Sequence, residues 1–382
     1  MNFSQLSALK VLSCVSLTLA LVGCGERDGK AELESAKNAY ELKDSLKADK
    51  LLDKSLGYNP ENVEALIYKA RLKLDQGEIA EAKNAIERAV VLDGEAVDVR
   101  MLNAQIAYHG RDYDTAIKEF TAIYENQLNT PSIRSQALTG LGIVEMSCNN
   151  YDQARIDFLL AIRTDRRNAS AWYHLGMVYR DSFGYFEAAL EQFEAYVRID
   201  EIADARVQKV QRVVIPELKE SIAAAATQIP GALKRDPAAA SAALQKAEAA
   251  MKKGTPKTAR LRYQDAVNAD PLSYPATFGL ARAWEKTDKT ADGQKKALEY
   301  YRMACKLSPG KTSTFVTAGE LALRLGFHAQ AVEIYSRALA ANPTNTTVID
   351  GLIRSLKKVG NRTKIADAYQ RYRDALPKPM KK

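Results

Sequence analysis

Small residues recur in this chain at a fixed interval: Ala36, Ala70 and Ala104 stand 34 positions apart, and so do Ala48, Ala82 and Ala116. The second series trails the first by 12 positions, which places one small residue on a first helix and one on a second, with a turn between them. Where the second series is fullest it continues into an aromatic and a further small residue, as in Ala154-Phe158-Ala161 and Ala259-Tyr263-Ala266. Spacings of four and three share one helical face. A helix pair with apolar residues on both flanks cannot bury them alone, so neighbouring pairs must stack. Small residues at the crossings let the helix axes approach to about 8–10 Å. A period of this length therefore displaces the two or three globular domains that 382 residues would otherwise suggest.

The pattern resembles the tetratricopeptide repeat, a helix-turn-helix unit with Trp, Leu-Gly, Tyr, Ala, Phe or Tyr, Ala and Pro at set offsets. Trp172, Leu175, Gly176 and Tyr179 fit its first helix, and Ala189, Phe193 and Tyr196 its second, after one extra residue near Ser182 to Tyr185. Pro309, Pro343 and Pro377 close late units at intervals of 34, and Pro271 closes an earlier one. Nine units follow, at 29–62, 63–96, 97–130, 135–168, 169–203, 240–273, 274–311, 312–345 and 346–379. "ENQLNTP" adds four residues between the third and fourth, and "KTDKTADGQ" is expected to lengthen a turn in the seventh. In the ninth, Ile353 and Ile365 replace small residues, which suits a terminal cap with no further repeat to meet.

The rhythm lapses between Asp200 and Ala240. Val207, Val210, Val213, Val214, Leu218 and Ile222 lie there at helical spacing, interrupted by Pro216 and closed by Pro230-Gly231. The stretch reads as a kinked amphipathic helix that fills the end of an array, and Asp236-Pro237 reads as the cap and first position of the next helix. The resulting expectation is an all-α superhelical solenoid in two arrays: a leader at 1–23, about five repeats over 24–203, a helical connector at 204–239, and about four repeats over 240–379.

Val11 to Val22 form an oily run after Lys10, the order of a secretory leader, and the run is too short to cross a bilayer. Leu21-Val22-Gly23-Cys24 then resembles the lipobox of bacterial lipoproteins. That resemblance implies cleavage before Cys24, diacylglyceryl transfer to its thiol and acylation, palmitate included, of the new amine. Two or more chains hold a protein on a membrane durably, at about 0.8 kcal/mol per buried CH₂. Gly25 is not the aspartate associated with inner-membrane retention, so the expected address is the outer membrane of a bacterial cell envelope, with the repeats in the periplasm.

Of the four cysteines only Cys148 and Cys305 lie clear of this segment, and two distant thiols are no disulfide framework. They read as packed small residues. Net charge is +8 and unevenly placed: residues 1–200 carry 23 Lys and Arg against 30 Asp and Glu (−7), and residues 201–382 carry 32 against 17 (+15). His109, His174 and His328 are scattered without metal-ligand spacing. "SPGKT" at 308–312 imitates a phosphate loop, but a helix rather than a strand leads into it. No catalytic constellation, metal site or cofactor is expected, and residues 201–239 offer neither His nor Cys for an enzyme hidden in the connector.

Resemblance to the repeat family implies that first-helix residues form a groove for a partner segment. In this register the groove takes Met101, Tyr108, Tyr173, Met177 and Arg180 from the earlier units and Phe278, Arg282, Lys286, Arg324, Arg354, Lys357 and Lys358 from the later ones. The fifth offset of the nine units holds no lysine, so a two-carboxylate clamp is not expected. The leading reading is a non-enzymatic, membrane-tethered scaffold that binds other envelope proteins or peptide segments, as an assembly factor or adaptor. Its layout is similar to pilotin-like or murein-hydrolase-adaptor lipoproteins. Neither nucleic acid nor a small-molecule substrate is expected as partner. The alternative is a polyanion-binding module that grips acidic glycans or lipid headgroups through the basic half, with affinity falling steeply as salt rises.

Overall fold

The computed structural model describes residues 28–199, 205–229 and 234–377. Cys24, the leader before it and its proposed acylation lie outside them. The described chain is helical throughout, without a strand, and falls into two compact units that divide between Asn126 and Gln127. The second of these units therefore contains repeats from both sides of the 204–239 connector. No helix among the described residues is long and apolar enough to cross a membrane.

The first unit holds three helix pairs: α1 (Lys30–Glu41) with α2 (Ser45–Tyr58), α3 (Val63–Asp75) with α4 (Ile79–Asp93), and α5 (Val97–His109) with α6 (Tyr113–Glu125). Short polar residues start several of them. Asp44, Asn62 and Asp112 each accept from the amide three residues on, at 3.2, 3.1 and 3.2 Å, satisfying one of the donors a helix leaves orphaned. The six alanines of the 34-residue ruler, from Ala36 to Ala116, are all fully buried. Between them one core runs from Leu66, Ile67 and Ala70 through Ala82 and Ile86 to Val99 and Leu102, joining three successive helices. Each pair thus completes its neighbour's core.

The second unit opens with α7 (Pro131–Ser147) and α8 (Tyr151–Thr164), then α9 (Ala169–Met177) and α10 (Phe186–Ile199). A π-helical stretch, Val178–Phe183, ends α9 and absorbs the extra residue seen in the sequence, with Gly184 leaving it in the left-handed conformation at φ 64°. The connector follows as α11 (Ala205–Lys209), a π-helical turn at Val210–Val214, and α12 (Ile215–Thr227). Pro216, which has no amide to donate, falls just after that turn. Val207, Val210, Val214 and Leu218 are buried as expected and Ile222 is half-buried, whereas Val213 is exposed and Ile215 is buried instead. The connector packs on α10, where the next repeat would stand.

Four further pairs complete the unit: α13 (Pro237–Lys252) with α14 (Pro256–Ala269), α15 (Tyr274–Thr287) with α16 (Ala291–Leu307), α17 (Thr312–Arg324) with α18 (His328–Ala341), and α19 (Thr346–Lys358) with α20 (Thr363–Asp374). Asp236 caps α13 by accepting from Ala239 at 2.9 Å. The inserted residues of the seventh unit do not lengthen its turn. α16 runs for 17 residues where α14 and α18 have 14, because Thr290 caps it early by accepting from Gly293 at 3.1 Å.

In the second unit, glycines mark where an aromatic of four second helices, α8, α10, α14 and α18, wedges against first helices. A methyl group on Gly142 would lie 2.5 Å from the Phe158 ring and one on Gly279 2.2 Å from that of Tyr263. Tyr335 sits between two such positions, Gly319 at 2.5 Å and Gly351 at 2.3 Å. No side chain other than hydrogen fits these crossings unless the ring moves.

Tyr369 holds the corresponding place in the last pair, and here the structure departs from the expected open cap. α20 packs on α8, and α10 packs on α18, so the two ends of the second unit meet. Arg155 of α8, fully buried, is the centre of this seam. Its Nε donates to the Tyr369 hydroxyl at 2.9 Å, and its Nη2 donates to the same hydroxyl and to Asp152 Oδ1 at 2.7 Å. Tyr369 in turn donates to Asp152 Oδ1 at 2.9 Å. The guanidinium lies over the Phe183 ring at 4.6 Å, and Arg337 lies over Tyr185 at 5.3 Å. The bulky residues of the ninth unit are therefore not facing solvent: Tyr369 and Tyr372 are 0% and 2% exposed.

Candidate interaction face on the first helices

In each unit of the 34-residue register, offsets 1, 5, 9 and 13 of the first helix form one stripe, since steps of four stay on a face. In α15 the stripe reads Tyr274, Phe278, Arg282 and Lys286. In α17 it reads Thr312, Val316, Glu320 and Arg324, and in α19 Thr346, Asp350, Arg354 and Lys358. Tyr274 and Phe278 stack at 5.7 Å between centroids, with Lys311 over Tyr274 at 4.3 Å and Arg282 over Phe278 at 6.0 Å. Both rings are half-buried, so a stacked aromatic pair bordered by cations stands at one end of the face.

Two of the arginines read as groove cations are engaged across repeats. Arg324 pairs with Glu285 of α15 at 2.5 Å, and Arg354 pairs with Glu320 of α17. Each carboxylate also accepts from the aromatic wedge of its own unit, Tyr301 to Glu285 at 2.8 Å and Tyr335 to Glu320 at 3.0 Å. Burial, together with the neighbouring carboxylate, raises both phenols well above their ordinary range, so they stay neutral donors. An acid, a tyrosine and an arginine recur in this way from repeat to repeat, and the seam at Asp152, Tyr369 and Arg155 repeats the same trio. The sequence reading missed Glu285 and Arg155; Glu285 stands at offset 12 and Glu320 at offset 9, so the acids do not align in the register, and nothing local signals Arg155. Arg282, Lys286, Lys357 and Lys358 are exposed and have no ion pair among the described residues.

Of the earlier groove residues, Met101 and Tyr108 lie half-buried on α5 in the first unit, with Tyr108 packed edge-on to His109 at 5.2 Å. The remaining three lie in the second unit and are drawn into its packing. Tyr173 meets Phe193 and Tyr196 at 5.9 and 5.3 Å, and Arg206 of the connector covers its ring at 5.4 Å. Arg180 binds Asp181 and the Met177 sulfur, at 2.5 and 3.3 Å. Arg206 of the connector thus covers one of the residues that would have formed this face, Tyr173.

Two of the three histidines are packing or surface groups, and the half-buried His328 begins α18 with its Nδ1 buried and without a hydrogen-bond partner among the described residues. His174 stacks on Phe158 at 5.7 Å, and burial pushes its pKa down to about 4, while His109 is exposed. No cluster of His, Cys, Asp or Glu suited to a metal occurs among the described residues. Cys305 is buried and its thiol pushed up to about 12 by that burial, so it stays protonated and unreactive at neutral pH. The "SPGKT" segment is the turn between α16 and α17, with Pro309 inside it.

Among solved structures the chain is similar to that of Pseudomonas aeruginosa pilF (16% identity over 67% of this chain and 97% of that one, TM-score 0.41). It is also similar to PilW, a widely conserved type IV pilus biogenesis factor (13% identity, 65% and 97%, TM-score 0.42), and to MamA from Desulfovibrio magneticus RS-1 (13%, 47% and 98%, TM-score 0.40). No curated protein matches the sequence. The tetratricopeptide-repeat family model matches residues 69–127, 139–203 and 244–312, which together make up more than half of the chain. With the helix pairs, the buried small residues of the 34-residue ruler and the aromatic wedges all in that register, the chain belongs to the tetratricopeptide-repeat family, whose members are protein-interaction modules.

Proposed function

We propose that the protein is a scaffold, tethered to a bacterial envelope membrane by lipid on Cys24, that holds a segment of another envelope protein against the first-helix face of α13, α15, α17 and α19. The observation that carries this reading is the stacked Tyr274–Phe278 pair, half-buried and bordered by Arg282 and Lys311. Aromatic groups that are half-covered and flanked by cations supply both the apolar anchor and the orienting charge that interfaces use. The role is that of an assembly factor or adaptor, in which geometry rather than bond-making does the work. The anchor rests on the lipobox-like Leu21-Val22-Gly23-Cys24, and the outer membrane on Gly25. Only five residues separate Cys24 from α1, a reach of at most about 18 Å, so the first repeat would lie close to the bilayer.

A photo-crosslinking residue in place of Phe278, used in intact cells, tests the face. One envelope protein should be recovered repeatedly, and its recovery should fall when Tyr274 and Arg282 are replaced by alanine; recovery that is diffuse, or unchanged by those substitutions, would remove this assignment. Mass spectrometry of the mature N-terminus tests the anchor separately, with an acylated Cys24 as the expected first residue.

A further inference from the structure

Four successive first helices of the second unit end on a cation at the same offset: Lys252 on α13, Lys286 on α15, Arg324 on α17 and Lys358 on α19. All four side chains are exposed. Lys252, Lys286 and Lys358 have no ion pair among the described residues, and Arg324 remains 61% exposed although it pairs with Glu285. That pair joins the C-terminal ends of α15 and α17 directly, so the offset is a row in space as well as in sequence.

A cation at a helix C-terminus also complements the helix dipole, which would explain the row if every unit showed it. The others do not. The same offset in the five earlier units holds Glu41, Asp75, His109, Ser147 and Asp181. Four cations in succession are therefore a property of this stretch of the array and not of the repeat. Lys253 and Lys357, both exposed beside the row, add to its charge; of the acids near it, Glu285 is engaged by Arg324 and Tyr301 and Asp288 by Thr290, while Glu248 stands exposed one turn before Lys252.

We infer that this row is a docking rail for an extended acidic segment of a partner protein, with an acidic side chain at every third residue. The inference rests on the reading of this face as a protein-binding one and adds what the partner must look like. Adjacent helices stand about 8–10 Å apart, and an extended chain advances about 3.3 Å per residue, so three residues span one repeat. A segment of some ten to twelve residues would meet all four cations. A helical partner would match only with acids seven residues apart, about 10.5 Å along one face, and would need about 22 residues to meet all four cations.

The test uses the full chain and three synthetic twelve-residue peptides of equal charge, each with four glutamates: one with them three residues apart, one with them two residues apart, and one with them contiguous. Heparin and polyphosphate serve as spacing-blind polyanions. The every-third peptide should bind most tightly, and the combined Lys252→Glu, Lys286→Glu and Lys358→Glu variant should weaken it at least ten-fold. Because reversal could loosen the helix ends, the combined Lys→Gln variant, with unchanged circular dichroism and melting, should also weaken it. Equal affinity for the three peptides, tighter binding of heparin or polyphosphate, or no binding at all would each overturn the rail. None of those outcomes touches crosslinking from Phe278, which decides the scaffold reading on its own.

Discussion

Removing Arg155 should open the second unit at its seam. The side chain is fully buried, donates to Tyr369 and Asp152, and covers the Phe183 ring at 4.6 Å. Truncation to alanine leaves Asp152 without its cation and empties the space between α8 and α20. Breaking a buried pair by deleting one partner costs about 3–5 kcal/mol. Asp152 retains 22% exposure and can recover some water, so the lower end, about 3 kcal/mol, is the expected loss. At about 2–4 °C per kcal/mol for a unit of this size, the melting temperature should fall by about 6–12 °C. Tyr369→Phe removes both the acceptor for Arg155 and the donor to Asp152 and should cost about 1.5–3 kcal/mol, the range for hydrogen bonds to charged groups. The control is Arg302→Ala, whose pair with Glu333 at 3.5 Å is 39% and 46% exposed, and which should cost less than about 1 kcal/mol. Urea unfolding gives the energies, and small-angle scattering should show a larger radius of gyration for Arg155→Ala alone. If that variant unfolds with its parent and scatters identically, the seam does not hold the ends together.

Asp157, buried on α8, has its carboxyl raised to about 8, chiefly by desolvation, with Glu145 adding to the rise and Gln153 and Arg371 opposing it. The folded protein then keeps a proton that the unfolded chain releases between about pH 4 and 8. Stability should fall by about 1.4 kcal/mol per pH unit across that window and level off above it. Asp157→Asn should flatten the profile, as urea midpoints at pH 5, 6.5 and 8 would show. Gly279→Ala would set a methyl group 2.2 Å from Tyr263 and Ala331→Leu would overfill a fully buried crossing, so each should cost about 1–3 kcal/mol in thermal unfolding. A Cys24→Ser variant should lose acylation and leave the membrane fraction.

What the sequence revealed followed from periodicity. Alanines at 34-residue spacing, Gly176 against Phe193, and Asp236 before Pro237 each act within one or two neighbouring helices, so their roles can be read locally. The insertion in the seventh unit was legible, but not its outcome, because whether added residues coil or loop depends on a cap such as Thr290. Arg155 could not be read at all. Its partner Tyr369 lies 214 residues away, and a buried arginine beside Ala154 looks in sequence like any solvated one. The face was half legible: the cations were visible, but not that Glu285 and Glu320 would each take one, nor that Arg206 would cover Tyr173.

An ordinary repeat stack behaves as a linear chain of nearest neighbours, free to unzip from either terminus and to lose a unit with only local effect. Contact between α8 and α20 removes that freedom, because fraying at the carboxyl end must strip cover from a helix early in the unit. Denaturation of residues 127–377 should therefore be a single concerted event, with hydrogen exchange in α8 and α20 slowed to a common rate. Deleting α20 should loosen α8 as well as α19.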